Sequence, residues 1–144
     1  MNKIEKVLFT GKTHTTPSNT GEGHGHVDMT LSAPGSAELV FEAVALNPTA
    51  EQLFAGAWSA CYTGALGIVA AQNRVKLPAD LSVDIQVDLG QTGNAYFLQA
   101  RFDVRMPGID PEIAEKIAHG AHEICPYSKA VHGNIDVALN VTTS

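Results

Sequence analysis

Apolar and polar residues alternate along several short segments of the chain, which is typical of strands with one buried face. In the first third, the pattern predicts strands at Ile4–Phe9 and Val27–Ser32 and a short one at Glu38–Val44. The stretch Gly11–Gly25 between the first two is rich in glycine and other turn residues, so it predicts a loop.

The same alternation returns in the second half. Leu81–Leu89 and Tyr96–Met106 each place apolar side chains on one face, and the link Gly90–Asn94 predicts a hairpin between them. A last strand is predicted around Ile135–Val141.

Two segments have the features of helices. Asn47 or Thr49 can cap a helix, and Ala50–Gln72, which has no internal proline, predicts one long and largely buried helix. Asp110 caps a second helix, with Pro111 in its first turn, that runs to about Ile124 before Pro126 stops it. Two helices against antiparallel strands predict an α+β fold, and we expect one domain over residues 1–144.

Length and charge narrow the class of protein. The chain has 144 residues, 44% hydrophobic and 17% charged, with a formal net charge of -6, and no basic stripe suggests a nucleic-acid partner. The first residues lack a signal-peptide pattern. No apolar run approaches the ~18 residues that a membrane span needs. We therefore expect a cytoplasmic protein without a membrane partner.

The chain has two cysteines, Cys61 and Cys125. In a reducing compartment, two cysteines serve as buried structural residues, as redox residues or as metal ligands. Composition alone favours the structural role, so the sequence around each cysteine has to decide.

The sequence around the two cysteines resembles that of a known family. Asn47–Cys61 resembles the first cysteine motif of the Ohr branch of the Ohr/OsmC family, and His122–Asp136 resembles the second. Leu77–Asp80, Met106–Gly108 and the end strand Asp136–Thr142 are also similar to the family. Two separate motifs in the right order make the resemblance specific.

The resemblance implies an OsmC-like fold that forms an intertwined homodimer with active sites at the subunit interface. It also implies a peroxidase that reduces organic hydroperoxides, including those of fatty acids, with no cofactor and no metal. By motif position, Cys61 is the peroxidatic cysteine, Cys125 resolves its sulfenic acid as a disulfide, and Glu51 matches the catalytic acidic residue. Dithiols or lipoylated proteins would reopen the disulfide.

One position departs from the family, which places an arginine in the loop after the first strand. The arginines here are Arg74, Arg101 and Arg105, and none lies in Gly11–Gly25. A thiolate needs a nearby cation to form readily, so we expect another basic residue to approach the Cys61 sulfur. The candidates from the loop and from the second motif are Lys12, His14, His24, His26, Lys129 and His132.

Glu51 precedes Cys61 by ten residues, about 15 Å along one helix. Two copies of the helix crossing antiparallel near Gly56 would bring Glu51 of one beside Cys61 of the other. Alternatively, Glu51 only favours the helix N-terminus. Cys125 lies at a helix end whose dipole disfavours a thiolate, which suits a resolving thiol; a structural role is the alternative.

Two other functions compete with the peroxidase. One is a binding module of the same fold that holds a lipid-like ligand in an apolar pocket with little or no turnover, and the missing arginine favours it. The other is a metal-binding protein, which would depend on the histidines of Gly23–His26, since His122 and Cys125 alone are too few ligands.

Overall fold

The computed structural model describes residues 4–16, 26–32 and 49–144. These residues form an α+β structure, as predicted, with one sheet in the strand order β2-β1-β3-β4-β5 and three helices. The elements are β1 Lys6–Thr16, β2 His26–Ser32, α1 Ala50–Gln72, β3 Ser82–Thr92, β4 Ala95–Arg105, α2 Pro111–Ile124, α3 Pro126–Val131 and β5 Asp136–Thr142.

Strand β1 is longer than its alternation pattern predicts. It continues through Gly11 to Thr16, where a loop was expected, because it pairs with β2 on one side and β3 on the other. Hydrogen bonding on both edges outweighs the low strand propensity of the glycine. The predicted strand Glu38–Val44 lies outside the described residues.

The predicted hairpin of β3 and β4 is confirmed, although its link is shorter than expected. Pairing continues to Thr92 opposite Ala95, and Gly93 turns the chain with a φ of 56°. Strand β5 pairs with β4 in the parallel direction, whereas the sequence indicated antiparallel strands. The helices α2 and α3 lie between β4 and β5 and return the chain to Gln99 of β4, where the pairing with β5 begins.

Helix α1 begins with a capping box at Thr49. The Thr49 hydroxyl accepts a hydrogen bond of 3.2 Å from the Gln52 backbone N–H, and the Gln52 side chain accepts one of 2.8 Å from the Thr49 N–H. By length and composition α1 could cross a membrane, contrary to the expectation above. Half of its apolar window is buried within the chain, so α1 also fits the core helix of a globular domain.

One face of the sheet packs against α1 and α2 to form the core. Trp58, Tyr62 and Leu66 of α1 are fully buried there, and the Tyr62 hydroxyl donates a hydrogen bond of 2.8 Å to the Ala118 carbonyl of α2. The largest fully buried sheet residues that face them are Val83, Ile85, Val87, Phe102 and Val104.

Gly11 lets α1 approach β1 closely. A Cβ atom at this position would lie 2.6 Å from the backbone nitrogen of Gln52 and from the carbonyl carbon of Glu51. Only glycine fits against this backbone, so the first turn of α1 lies directly on β1. This contact fixes the end of α1 that carries Glu51.

The opposite face of the sheet is polar. Asp88 of β3 is 1% exposed and accepts hydrogen bonds from Arg101, from Gln99 at 2.7 Å and from Thr10 at 2.5 Å. Burial opposes the ionisation of Asp88, but these donors outweigh it and hold the pKa of Asp88 below its ordinary value. The network ties together three neighbouring strands.

Candidate active site

The sulfur atoms of Cys61 and Cys125 lie 3.2 Å apart. Both cysteines are free thiols; Cys61 is partly exposed and Cys125 is fully buried. A disulfide bond is about 2.05 Å long, so the sulfurs need to approach by only about 1 Å to form one. The two residues are 64 positions apart in the chain, and the fold brings them together.

Cys61 lies in the middle of α1, and Cys125 lies at the junction of α2 and α3. Asp110 starts α2 by accepting hydrogen bonds from the backbone N–H groups of Glu112 and Ile113 at 3.0 and 3.2 Å. Cys125 is extended, with φ -60° and ψ 122°, because the residue before a proline avoids the helical region. The sequence predicted that α2 stops here, but it did not predict that Pro126 starts a third helix.

Helix α3 is tied to α1 beside the cysteines. The Trp58 indole N–H donates a hydrogen bond of 2.9 Å to the hydroxyl of Ser128, and both residues are buried. Trp58 also packs edge-on against Phe102 at 4.8 Å between ring centroids. Trp58 therefore belongs to the core. Ser128, which follows Cys125 in the second motif, is a positioning residue that the sequence analysis missed.

The surroundings of Cys61 favour its thiol form. Burial raises the pKa of Cys61, and the neighbouring Cys125 thiol raises it further, while a hydrogen bond from the Tyr127 backbone N–H lowers it. None of these groups is a cation, and a mid-helix position gains little from the helix dipole. Within residues 4–16, 26–32 and 49–144, no charged group activates Cys61.

Two of the candidate cations lie on the far side of the sheet from the Cys61 of their own chain. His14 is bonded to Asp84 at 2.7 Å on the polar face of the sheet. Strand alternation puts Lys12 on that same face, because the buried Thr13 and Thr15 point towards the helices. Lys12 and His14 therefore do not approach the Cys61 of their own chain. Their strand was predicted as a loop, which hid this alternation.

The other basic candidates do not act on Cys61 in the described structure. Lys129 and His132 lie at exposed positions at the end of α3, and neither contributes to the pKa shift of Cys61. His24 lies outside the described residues, and for His26 only the backbone in β2 is described.

Glu51 lies in the first turn of α1, ten residues before Cys61 on a continuous helix. The rise of about 15 Å keeps it from the Cys61 of its own chain. Gly56, near which a crossing of two helices was expected, is buried within its own chain, and the crossing itself stays a prediction. The exposed face of α1 instead includes Leu53 and Ile68, each 55% exposed.

A separate cavity of about 340 Å³ opens between α3 and β5. His122 forms part of its wall; burial, followed by the charges of His119 and His132, lowers the pKa of His122. Among the described residues, no three His, Cys, Asp or Glu side chains are grouped as metal ligands. The cavity is lined by His122, Ser128, Val131, His132, Gly133, Ile135, Asp136 and Val137.

Sequence comparisons with known proteins identify the family of this chain. The sequence model of the OsmC-like protein family matches residues 42–140. The organic hydroperoxide resistance protein of Xanthomonas axonopodis pv. citri is 37% identical over 95% of this chain and 96% of its own length. The organic hydroperoxide resistance protein OhrA of Bacillus subtilis is 34% identical over 96% and 99%.

A solved structure shares the fold as well. The crystal structure of the organic hydroperoxide resistance protein OhrB of Bacillus subtilis superposes with a TM-score of 0.63 at 29% identity, and covers 89% of this chain and 97% of that one. The chain therefore belongs to the OsmC-like family, in its Ohr (organic hydroperoxide resistance) branch.

Proposed function

We propose that the protein is a thiol-dependent peroxidase that reduces organic hydroperoxides with Cys61 and Cys125. The observation that carries the proposal is the 3.2 Å separation of a partly exposed sulfur and a fully buried one. The relatives named for organic hydroperoxide resistance support a role in hydroperoxide detoxification.

The proposed reaction assigns a different task to each sulfur. The Cys61 thiolate attacks the outer oxygen of the hydroperoxide, the O–O bond breaks, and the alcohol leaves with a proton from solvent. Cys61 is then a sulfenic acid. The sulfur of Cys125 attacks that of Cys61, water leaves, and the disulfide closes without a large movement.

Activation of Cys61 is proposed to come from beyond the described residues. Burial and Cys125 hold its thiol protonated, and the Tyr127 N–H opposes them only in part. A cation that faces the exposed side of Cys61 would complete the site, and His24 is a candidate from the loop after β1.

The exposed face of α1 supports the proposed homodimer. Leu53, Ala57, Gly67 and Ile68 are exposed at helical spacing, and no charged side chain follows Glu51 on α1. A row of exposed apolar residues on one helix face favours contact with a second copy of the chain. A second copy packed antiparallel here would bring its own Glu51 towards Cys61, which is how Glu51 would act in catalysis.

Leu53→Glu should dissociate the dimer in sedimentation. A wild-type monomer at micromolar concentration would contradict the proposed homodimer.

The reductant is proposed to be a dithiol or a lipoylated protein, and the compartment the cytoplasm. The proposed cycle has to return the disulfide to two thiols, and a reducing compartment such as the cytoplasm supplies the reductants for this step. A dithiol can open the disulfide and close its own, so it leaves no mixed disulfide on the protein.

A peroxidase assay tests the function directly. Purified protein with dihydrolipoamide should consume cumene hydroperoxide faster than hydrogen peroxide. Cys61→Ser should abolish consumption. Without reductant, Cys125→Ser should consume one equivalent of hydroperoxide and stop at the Cys61 sulfenic acid, whereas the wild-type protein stops at the disulfide. No consumption by the wild-type protein, combined with saturable binding of an apolar fluorescent probe, would favour the lipid-binding module instead.

A further inference from the structure

We propose that the reductant bonds to Cys61 and not to Cys125, so that peroxide and reductant act in turn on the same sulfur. This inference rests on the proposed function, because it takes the Cys61–Cys125 disulfide as the oxidised state. The distance between the two sulfurs does not determine where the reductant attacks, because a thiolate can attack either sulfur of a disulfide.

The two sulfurs differ in access. Cys125 is 0% exposed and belongs to the core that α1, α2 and the sheet form, whereas Cys61 is partly exposed. Oxidation moves the sulfurs together by about 1 Å, from 3.2 Å to a bond of about 2.05 Å. So small a shift leaves Cys125 buried, and only the Cys61 sulfur of the disulfide is exposed to solvent.

Uncovering Cys125 would require α3 to leave its place. Ser128 of α3 is 3% exposed and is bonded to the buried Trp58, so the helix cannot move away without breaking this contact. A buried donor that loses its acceptor destabilises the protein, and the newly exposed apolar surface adds to that cost. Attack at Cys61 needs no such opening.

The step balances without any further reactant. One thiolate of a dithiol bonds to the Cys61 sulfur, the Cys61–Cys125 bond breaks, and Cys125 leaves with the electron pair. In net terms, the second thiol of the reductant gives its proton to Cys125. The resulting thiolate attacks the first sulfur of the reductant, closes a cyclic disulfide, and releases Cys61 as a thiolate.

A second subunit does not change the choice of sulfur. A partner on the exposed face of α1 could narrow the approach to Cys61. It could not uncover Cys125, because residues of the same chain already cover it completely. The dimer would therefore select which reductants enter, and Cys61 would remain their target.

Trapping the first adduct tests the proposal. The full-length protein is oxidised with diamide, which forms the disulfide without peroxide, and is treated briefly with 2-mercaptoethanol. It is then quenched in acid, capped with N-ethylmaleimide and digested. Trypsin places Cys125 on the peptide between Lys116 and Lys129 and leaves Cys61 on a separate one. We expect the mercaptoethanol on Cys61 in about tenfold excess over Cys125 at the earliest times. Equal amounts, or more on Cys125, would overturn the proposal.

A matched pair of variants checks the accessibility on which the proposal depends. Cys125→Ser leaves Cys61 as the single thiol, and Cys61→Ser leaves Cys125. An aromatic disulfide reagent should react with the lone Cys61 about tenfold faster, or more, and mild denaturant should remove the difference. Equal rates in folded proteins would contradict it. Diamide forms the disulfide without peroxide, so a protein without peroxidase activity can still give the Cys61 adduct. Failure of the proposed function can therefore be distinguished from failure of this proposal.

Discussion

The indole N–H of Trp58 donates a hydrogen bond of 2.9 Å to the hydroxyl of Ser128, and each of these residues lies three positions from a cysteine. Trp58 precedes Cys61 on α1, and Ser128 follows Cys125 on α3. One buried bond therefore connects the two backbone segments that carry the sulfurs. It keeps the sulfurs close enough to react.

Removing this bond should weaken both the fold and the cysteine pair. Trp58→Phe leaves the Ser128 hydroxyl without its donor, and Ser128→Ala leaves the indole N–H without its acceptor, each at a cost of about 1–3 kcal/mol of unfolding free energy. We also expect the disulfide to form more slowly in each variant, as measured by mass after mild oxidation. The double variant should cost less than the sum of the two, because the residues share one bond. Additive costs would show that the bond does not couple them.

The pKa of Cys61 should fall when Cys125 is removed. The Cys125 thiol raises the pKa of Cys61, so Cys125→Ala should move the pH midpoint of Cys61 alkylation downward. Iodoacetamide rates across pH measure this midpoint. Tyr127→Ala is a matched control, since it removes an exposed side chain and keeps the backbone N–H that faces Cys61. An unchanged or higher midpoint in Cys125→Ala would show that Cys125 does not raise the pKa of Cys61.

Local signals predicted most of the fold, and long-range pairing explains what they missed. The helix start at Thr49, the stop before Pro126 and the inward faces of β3 and β4 depend on neighbouring residues, and these predictions are confirmed. The extension of β1 depends on two strands far away in sequence, and the parallel β5 depends on the path of α2 and α3.

The candidate site was predictable only in part. The motifs named Cys61 and Cys125, but their contact is made by packing over 64 residues. Ser128 was missed because a single serine carries no signal of its buried partner Trp58. The roles of Cys61, Cys125 and Glu51 stay predictions, as does the single domain over residues 1–144.

His122 should make the fold less stable below neutral pH. Burial lowers its pKa, so the folded state binds a proton less readily than the unfolded chain. Its contribution to stability is complete above about pH 6.5 and is lost as the pH falls through the lower folded pKa. In His122→Phe, the decline in unfolding free energy from neutral pH to about pH 5 should be smaller, as measured in urea. His119→Gln, at an exposed position, should keep most of the wild-type decline, and an equal decline in both variants would refute the assignment.

Asp88 should stabilise the sheet except in strong acid. Its folded pKa lies below the ordinary value, so its contribution is complete above about pH 3.9 and is lost as the pH falls further. Asp88→Asn should cost about 1–3 kcal/mol at neutral pH, towards the lower end because the Arg101 side chain is 37% exposed. The cost should shrink in acid. Asp103→Asn, at an exposed position on the same face, is the control and should cost less. If Asp88→Asn costs the same unfolding free energy at neutral and at acid pH, the Asp88 charge does not stabilise the sheet.

The product of a single oxidation tests the proposed chemistry of Cys61 and Cys125 most directly. One equivalent of cumene hydroperoxide is added to the reduced protein in the absence of reductant, and the protein is analysed by intact mass and peptide mapping. We predict one equivalent of alcohol, a mass loss of two hydrogens per chain, and a disulfide between Cys61 and Cys125 of the same chain. Free thiols at both positions after the hydroperoxide has been consumed, or a bridge between chains, would contradict the proposed chemistry.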